Sequence, residues 1–422
     1  MRRVVITGMG VIAPNGNGLA HFMKALKSGK SGIRFIEQLK EFQFRCQIGG
    51  VPQGVVELSK TLFTDEDLLT MNELLTLTAI AGIECWKTGK LPPPESNKVY
   101  EDTGAIVGIG MCGMDTIAET LVPMVNSGKV KRMGSSIVEN VMASGPSAKL
   151  CHFLGLGGQV TTNSSACVTG TEAIIEGYFK IKDGRANRML AGGAEGSSPY
   201  IWGGFDSMKV LQKNFNDDPE KGSRPLSATA AGFVPGSGAG LLMLEELDSA
   251  LSRGAHIYAE VLGAEVNSGG QRNGGSMTAP GSQGVIRCIR KALERAHITP
   301  KQIDLINGHL TGTFADPHEI RNLSAALELA PQDCPYIQST KSMIGHALGA
   351  AGAIECVATI LQLEHGFIHG TINCEDLHPE LTDYKEKILH QTINKDIKIA
   401  AKMGFGFGDV NSCIIFKKWE KS

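Results

Sequence analysis

Three features of this sequence predict an α/β protein with largely buried sheets. Short apolar runs alternate with helix-spaced apolar positions along the whole chain. Several runs are continuously apolar, as expected of strands covered on both faces. Glycine is abundant, 52 of 422 residues, and often closes these runs, where a tight strand-to-helix turn needs its freedom.

Taken in order, residues 4–10 open the chain as a strand ending in glycine. Residues 68–86 carry apolar side chains at helical spacing, and 104–110 (GAIVGIG) form another strand with a glycine turn. The segment 111–147 is richer in Met, Ser, Lys and Arg and reads as an insertion capping one half. Residues 189–193 and 239–247 are further buried strands, and 214–235 reads as a polar loop.

The second part echoes the first. IYAEVLGAEV at 257–266 resembles the opening VVITGMGV. QVTTNSSACVTGTE at 159–172 and PYIQSTKSMIGHALG at 335–349 both read strand, small-residue turn, helix. IAAKMGFGFG echoes MLAGGAEG. A duplicated βαβ-type unit explains all three pairs and puts a boundary near 255, giving halves 1–255 and 256–422. Chance similarity between α/β segments is the competing reading.

Lys plus Arg is 41 and Asp plus Glu is 43, a net charge of −2. That excludes a strongly basic nucleic-acid binder and a polyacidic disordered chain. The ten cysteines show no CxxC pair, which fits reduced thiols in a cytoplasmic protein. No run reaches the ~20 apolar residues of a membrane span.

Cys167 stands in SSACVTG, with small residues before it and a helical pattern after it. A strand-to-helix turn there would put the thiol at a helix N-terminus, where the dipole and unpaired N–H groups favour the thiolate, the nucleophilic form. An ordinary small core cysteine is the competing reading, and the other nine cysteines are left to it. His309 ends a strand-like run in INGHLTGT. His346 lies in a second such turn, STKSMIGHALGAAG. Strand ends cluster at one edge of an α/β sheet, so three such turns can bring a thiol and two imidazoles together. His297, His365 and His369 read as surface or satisfied core histidines. Lys341 and Glu319 are expected to pair if buried; otherwise each is a solvated charge. Phe405 and Phe407, in KMGFGFGDVN, sit on an open backbone that can offer an N–H to an oxyanion and gate a pocket. The competing reading is a strand-end turn with core aromatics.

With SSACVTG, INGHLTGT, STKSMIGHALGAAG and GFGFG in this order, the chain resembles the β-ketoacyl-[acyl-carrier-protein] synthases, the type I and II condensing enzymes, over essentially its whole length. The resemblance implies a thiolase fold of two similar halves in five α-β-α-β-α layers. It implies Cys167, His309 and His346 as the catalytic triad, supported by Lys341 and Glu319, with the N–H groups of Cys167 and Phe407 as oxyanion hole. Thr311 and Thr313 match the hydroxyl pair that holds the phosphopantetheine arm. Phe405, Phe407, Met111 and Met133 match pocket positions. The implied partners are acyl- and malonyl-loaded acyl carrier protein, for which Lys129, Lys131, Arg132, Lys209 and Lys213 are docking candidates, and a second copy or related subunit. No metal or resident cofactor is implied, because the carrier brings the phosphopantetheine. Cys413 lies beyond the C-terminal glycine loop, so the second cysteine of a thiolase is missing. Both competing classes, a non-catalytic chain-length partner and a cysteine protease, sit poorly with Cys167 and two histidines in these contexts.

Several positions depart from the family pattern. Leu310 and Asp409 stand where glycine is usual. Ala230, Ala231 and Ser237 stand near or at usual acidic positions, and residues 64–67 (TDED) are acidic where relatives are often basic. The departures favour a specialised secondary-product synthase about as much as a fatty-acid one.

Overall fold

The computed structural model describes residues 2–420. Ten strands carry the architecture. The first five are β1 (Val4–Ala13), β2 (Thr103–Ile109), β3 (Val160–Thr161), β4 (Arg188–Glu195) and β5 (Gly238–Glu246). The second five are β6 (Ala259–Ser268), β7 (Leu305–Asn307), β8 (Tyr336–Gln338), β9 (Ile399–Gly406) and β10 (Val410–Lys418). Their order is β8-β7-β9-β10-β6-β1-β5-β4-β2-β3. Adding five to each strand number converts one half of this order into the other.

The directions obey the same rule. β2 runs parallel to β3 and β4, as β7 does to β8 and β9. β4–β5 and β1–β5 are antiparallel, like β9–β10 and β6–β10. Even the irregularities repeat. Thr7 is an extra residue in β1 and Leu262 in β6, the fourth residue of each strand. The halves meet where β1 pairs antiparallel with β6, Val5 opposite Glu260. All three sequence echoes fall on strands related by this rule.

Six helices complete the layers: α1 (Glu73–Thr88), α2 (Gly145–Leu154), α3 (Thr169–Lys182), α4 (Ser282–Ala296), α5 (Asp316–Leu327) and α6 (Leu348–His365). Helices α3 and α6 pack on each other and on strands of both halves. The outer faces carry α1 with α2 on one half and α4 with α5 on the other. The result is the five-layered thiolase arrangement. Sequence follows position: α6 is buried from Leu348 to Leu363 and apolar except at Glu355, Thr359 and Gln362, whereas α4 (SQGVIRCIRKALERA) keeps one apolar face for β6 and turns its charges outward.

Two sequence expectations change here. Residues 214–235 form a loop, but its middle is internal: Ser223, Arg224, Leu226 and Ser227 are buried. Arg224 reaches Glu375 and Asp376 through its Nη2. A loop tied this way is polar because its polar groups are paired, not because it is solvated. The acidic TDED stretch is a capping box: Asp67 accepts from the Thr64 N–H and hydroxyl, and Thr64 Oγ1 accepts from the Asp67 N–H. No helix among the described residues is long and apolar enough to cross a membrane.

Candidate active site

The parallel strands of both halves end at one place, and the chemistry-bearing residues sit just past their ends. Cys167 follows β3 on the single 3₁₀ turn Ala166–Val168 that leads into α3. Ala166 takes φ 52°, so the chain bends sharply just before the thiol. His309 follows β7. His346 follows β8 and the one-turn helix Lys341–Ile344. The Cys167 sulfur and one ring nitrogen from each histidine lie within 4.8 Å of one another. The two imidazoles stand edge to face, 5.3 Å between centroids.

Each side chain is held from behind. His346 is buried; its N–H donates to Val234 O at 2.7 Å and its carbonyl accepts from Gly236 N–H at 2.9 Å. Nδ1 of His346 accepts from the Leu348 N–H at 3.2 Å. The neutral ring therefore carries its proton on Nε2, which leaves a donor for a ligand. The His309 loop hangs on two carboxylates. Glu319 accepts the N–H groups of His309 and Leu310 at 2.6 and 2.8 Å. Asp316 accepts those of Thr311 and Gly312 at 2.9 and 3.1 Å. Leu310 takes φ 23° and is fully buried. Its side chain joins the core of the second half, which explains how a leucine is tolerated where the family pattern has glycine. Thr311 and Thr313 place their hydroxyls 3.1 Å apart.

Phe407 begins the turn between β9 and β10. The backbone N–H groups of Phe407 and of Cys167 itself lie near the thiol and favour its anionic form. A Cβ at Gly406 would stand 3.3 Å from Cys167 N, tighter than ordinary contact, so the strand end lies close against the nucleophile's turn. The rings of Phe405 and Phe407 lie 6.2 Å from His309 and 6.1 Å from Phe205.

Lys341 and Glu319 do not form the expected ion pair. Lys341 Nζ donates instead to Glu355 on α6, and Lys402 Nζ on β9 lies 3.0 Å from the other oxygen of Glu355. All three are buried. Glu319 is occupied by the two amides of the His309 loop and acts on Lys341 only at longer range. The two amides need an acceptor where the loop turns, and the carboxylate that supplies it is held against the loop while Glu355 takes the ammonium.

The electrostatics follow from burial and this network. Burial, then Lys341, holds both imidazoles well below the ordinary histidine value, and Lys402 adds to it. Burial pulls Lys341 down as well, opposed by Glu355. The thiol corrects the sequence expectation: burial pushes Cys167 up to about 11 against Lys341 and the two N–H donors, so the resting group is the thiol. Desolvation outweighs the helix end. A sulfur with two imidazoles could ligate a soft cation, but Lys341 and Lys402 give this pocket a field suited to an anion.

Sequence reasoning missed Glu195, Glu355, Lys402, Phe205 and Phe233. Glu195 is fully buried at the end of β4 and accepts the N–H groups of Gly110, Met111 and Gly349 at 3.0, 3.2 and 2.9 Å. Burial raises it to about 7. Phe233 lies 5.1 Å from the His346 ring. The signal was present for the three charges: each is a lone ionisable residue in an apolar run (MLAGGAE, AGAIECVAT, IAAKMGF). Such a residue must be paired inside the fold. Met111 is 43% exposed and Met133 half-buried, so within this single chain neither encloses a pocket floor. Lys129, Lys131, Arg132, Lys209 and Lys213 are exposed and form no ion pair among the described residues. His369, by contrast, is buried with both ring nitrogens bonded, to Thr340 Oγ1 and Gly370 O.

Two family models cover most of the sequence: beta-ketoacyl synthase, N-terminal domain, over residues 1–250, and beta-ketoacyl synthase, C-terminal domain, over 258–375. The chain belongs to the beta-ketoacyl synthase family. It is 33% identical to 3-oxoacyl-[acyl-carrier-protein] synthase 1 of Escherichia coli K12, over 99% of both chains. It is 35% identical to 3-oxoacyl-[acyl-carrier-protein] synthase 2 of Vibrio harveyi, again over 99% of both. A beta-ketoacyl synthase from Burkholderia phymatum STM815 superposes with a TM-score of 0.91 at 27% identity, covering all of both chains. A type II PKS ketosynthase, solved with its acyl-carrier protein and bound to the hexaketide, gives 0.87 at 29% identity, over 99% of this chain and all of that one. In this beta-ketoacyl synthase, the first family model spans β1 to β5, and the second opens at β6, takes in β7 and β8 and ends before β9.

Proposed function

We propose that this chain is a β-ketoacyl-[acyl-carrier-protein] synthase, an acyltransferase that lengthens an acyl chain by two carbons through decarboxylative condensation. The observation that carries the reading is the convergence of Cys167, His309 and His346 at the ends of strands from both halves. In the first half-reaction the Cys167 sulfur attacks the thioester carbon of an acyl-carrier. A C–S bond to Cys167 forms, the bond to the carrier thiol breaks, and that thiol leaves with a proton. His346 is committed as an Nε2 donor, so His309, whose ring has no hydrogen-bond partner among the described residues, is the imidazole free to take the Cys167 proton. The N–H groups of Cys167 and Phe407 hold the tetrahedral oxyanion, worth about 3–4 kcal/mol per donor in other enzymes.

In the second half-reaction malonyl-carrier enters. Its C–CO₂ bond breaks, releasing carbon dioxide and leaving an enolate. Donors from His309 and His346 hold the enolate oxygen, and buried Lys341 and Lys402 supply the positive field. The enolate carbon attacks the acyl-Cys167, a C–C bond forms, and the Cys167 thiolate departs. Thr311 and Thr313 are assigned to the phosphopantetheine arm, and the exposed Lys129, Lys131, Arg132, Lys209 and Lys213 to an acidic carrier. No resident cofactor or metal is assigned a step. The exposed Val122, Val125, Val130 and Val138 on the insertion suit a second copy or a related subunit. Ten free cysteines fit a reducing, cytoplasmic compartment.

The test is intact-protein mass spectrometry with acyl-carrier thioesters of several lengths and malonyl-carrier. Acyl mass on Cys167 and a product two carbons longer, both lost in Cys167→Ala, are the expected result. A wild-type protein that neither accepts acyl groups nor releases carbon dioxide would overturn the reading and favour a chain-length partner subunit.

A further inference from the structure

Asp409 breaks a local rule and is repaid by a set of contacts that the reaction scheme does not use. It closes the three-residue turn Phe407-Gly408-Asp409 between β9 and β10 and takes φ 61°, the left-handed region that glycine fills most easily. Its side chain is fully buried. One carboxylate oxygen accepts the Gln271 N–H at 2.9 Å, and the other accepts the Gly281 N–H at 2.8 Å. Its carbonyl accepts the Gly269 N–H at 2.8 Å, and the Gly408 N–H donates to Met277 O at 2.8 Å. Four bonds thus join the glycine-rich segment 269–281 to the turn that carries Phe407. The segment is shaped for the carboxylate: a Cβ at Gly269 or Gly275 would stand 2.2 or 2.4 Å from its oxygens. Much of the segment is exposed, Met277 at 59%. Little besides this clasp fixes it.

Gly406 packs against the backbone of the Cys167 turn, and the Phe407 N–H that follows it stays beside the sulfur only while the turn keeps this geometry. A three-residue turn with two left-handed residues has many other conformations open to it. Backbone ordering carries an entropic cost, and paired charge-assisted bonds offset it. We propose that Asp409 is a positioning residue whose carboxylate clasps segment 269–281 to the Phe407 turn and thereby holds the Phe407 N–H on the nucleophile. Removing it affects the acyl-transfer half-reaction, which uses that N–H, and spares malonyl decarboxylation, which uses the histidines.

The acyl-transfer arm rests on the synthase reading, so the test has arms that do not. Asp409→Gly suits the backbone angle and removes the carboxylate; Asp409→Asn keeps one acceptor oxygen. In Asp409→Gly, hydrogen exchange of peptides spanning 269–281 and 405–410 is expected to rise about tenfold or more. The pH midpoint of Cys167 alkylation is expected to move up by about half a unit, because an N–H donor to the sulfur favours the thiolate. Cys167 acylation should slow about tenfold with decarboxylation within about twofold of wild type, and Asp409→Asn should fall between. Unchanged exchange, or an unchanged alkylation midpoint, overturns the proposal whatever the substrate. Equal loss of both half-reactions overturns it too, since that is what a merely structural role gives. A wild-type protein inert to every acyl-carrier refutes the synthase reading instead and leaves the exchange and alkylation arms to decide the clasp.

Discussion

The two halves of the molecule share one strand order and carry opposite chemistry. After β3 in the first half stands a thiol; after β8 in the second stand Lys341 and His346. After β2 come the backbone N–H groups of Gly110 and Met111, which go to Glu195; after β7 comes His309, whose loop goes to Glu319 and Asp316. The first half thus supplies the nucleophile and one oxyanion N–H, and the second supplies the proton acceptor and the remaining hydrogen-bond donors. Ion pairing differs in the same sense. Glu195 is satisfied by backbone amides alone, while Glu355 lies between two buried lysines. One scaffold can be used twice because strand ends fix position and leave the mounted residue free.

Changes that break this division should lose the most. His346→Ala is expected to lower malonyl decarboxylation by about 10²–10³-fold while Cys167 still acylates, as for loss of one preorganised donor. Partial-reaction kinetics read it, and equal loss of acylation would contradict the division. Next comes the lysine pair. Glu355→Gln leaves Lys341 and Lys402 without their shared carboxylate and is expected to cost about 3–5 kcal/mol, the range for breaking a buried ion pair. Denaturant melts measure it, and an unchanged midpoint would mean the network is already neutral.

The pH dependence sharpens the contrast. Glu195 and Glu319 are each raised from 4.5 to about 7 by burial. A carboxyl raised on folding contributes its stability fully below about 4.5 and loses it as pH climbs through about 7. Stability should therefore fall between about pH 5 and 7.5, with a slope of up to ~1.4 kcal/mol per pH unit for each group. Glu195→Gln should remove roughly half of that slope. Thermal melts across the window would show it, and a steeper fall in the variant would reverse the sign. The smallest effect belongs to the exposed surface. Lys209→Glu is expected to raise the KM for carrier a few-fold, about 1 kcal/mol or less, and only at low salt.

Much of this was legible in the sequence. The strand–turn–helix echoes fixed which turns correspond, and the small residues around Cys167 and His346 marked the turns themselves. What was not legible was partnership. A lysine and a glutamate twenty-two residues apart, 341 and 319, looked like a pair, yet the loop amides claimed the glutamate and a helix delivered Glu355. The thiolate expectation failed for a related reason: helix-end chemistry is local and can be read, while desolvation depends on everything packed around the sulfur. Asp409 was visible as a departure, but its partners lie at 269–281, far away in sequence.

The division of labour is tested most directly in Cys167→Ala given malonyl-carrier alone and then with acyl-carrier. The expected result is continued release of carbon dioxide, because the second half is intact, with no acyl-enzyme and no elongated product. Decarboxylation that vanishes along with acylation would contradict it, and would mean that the two halves do not act separably.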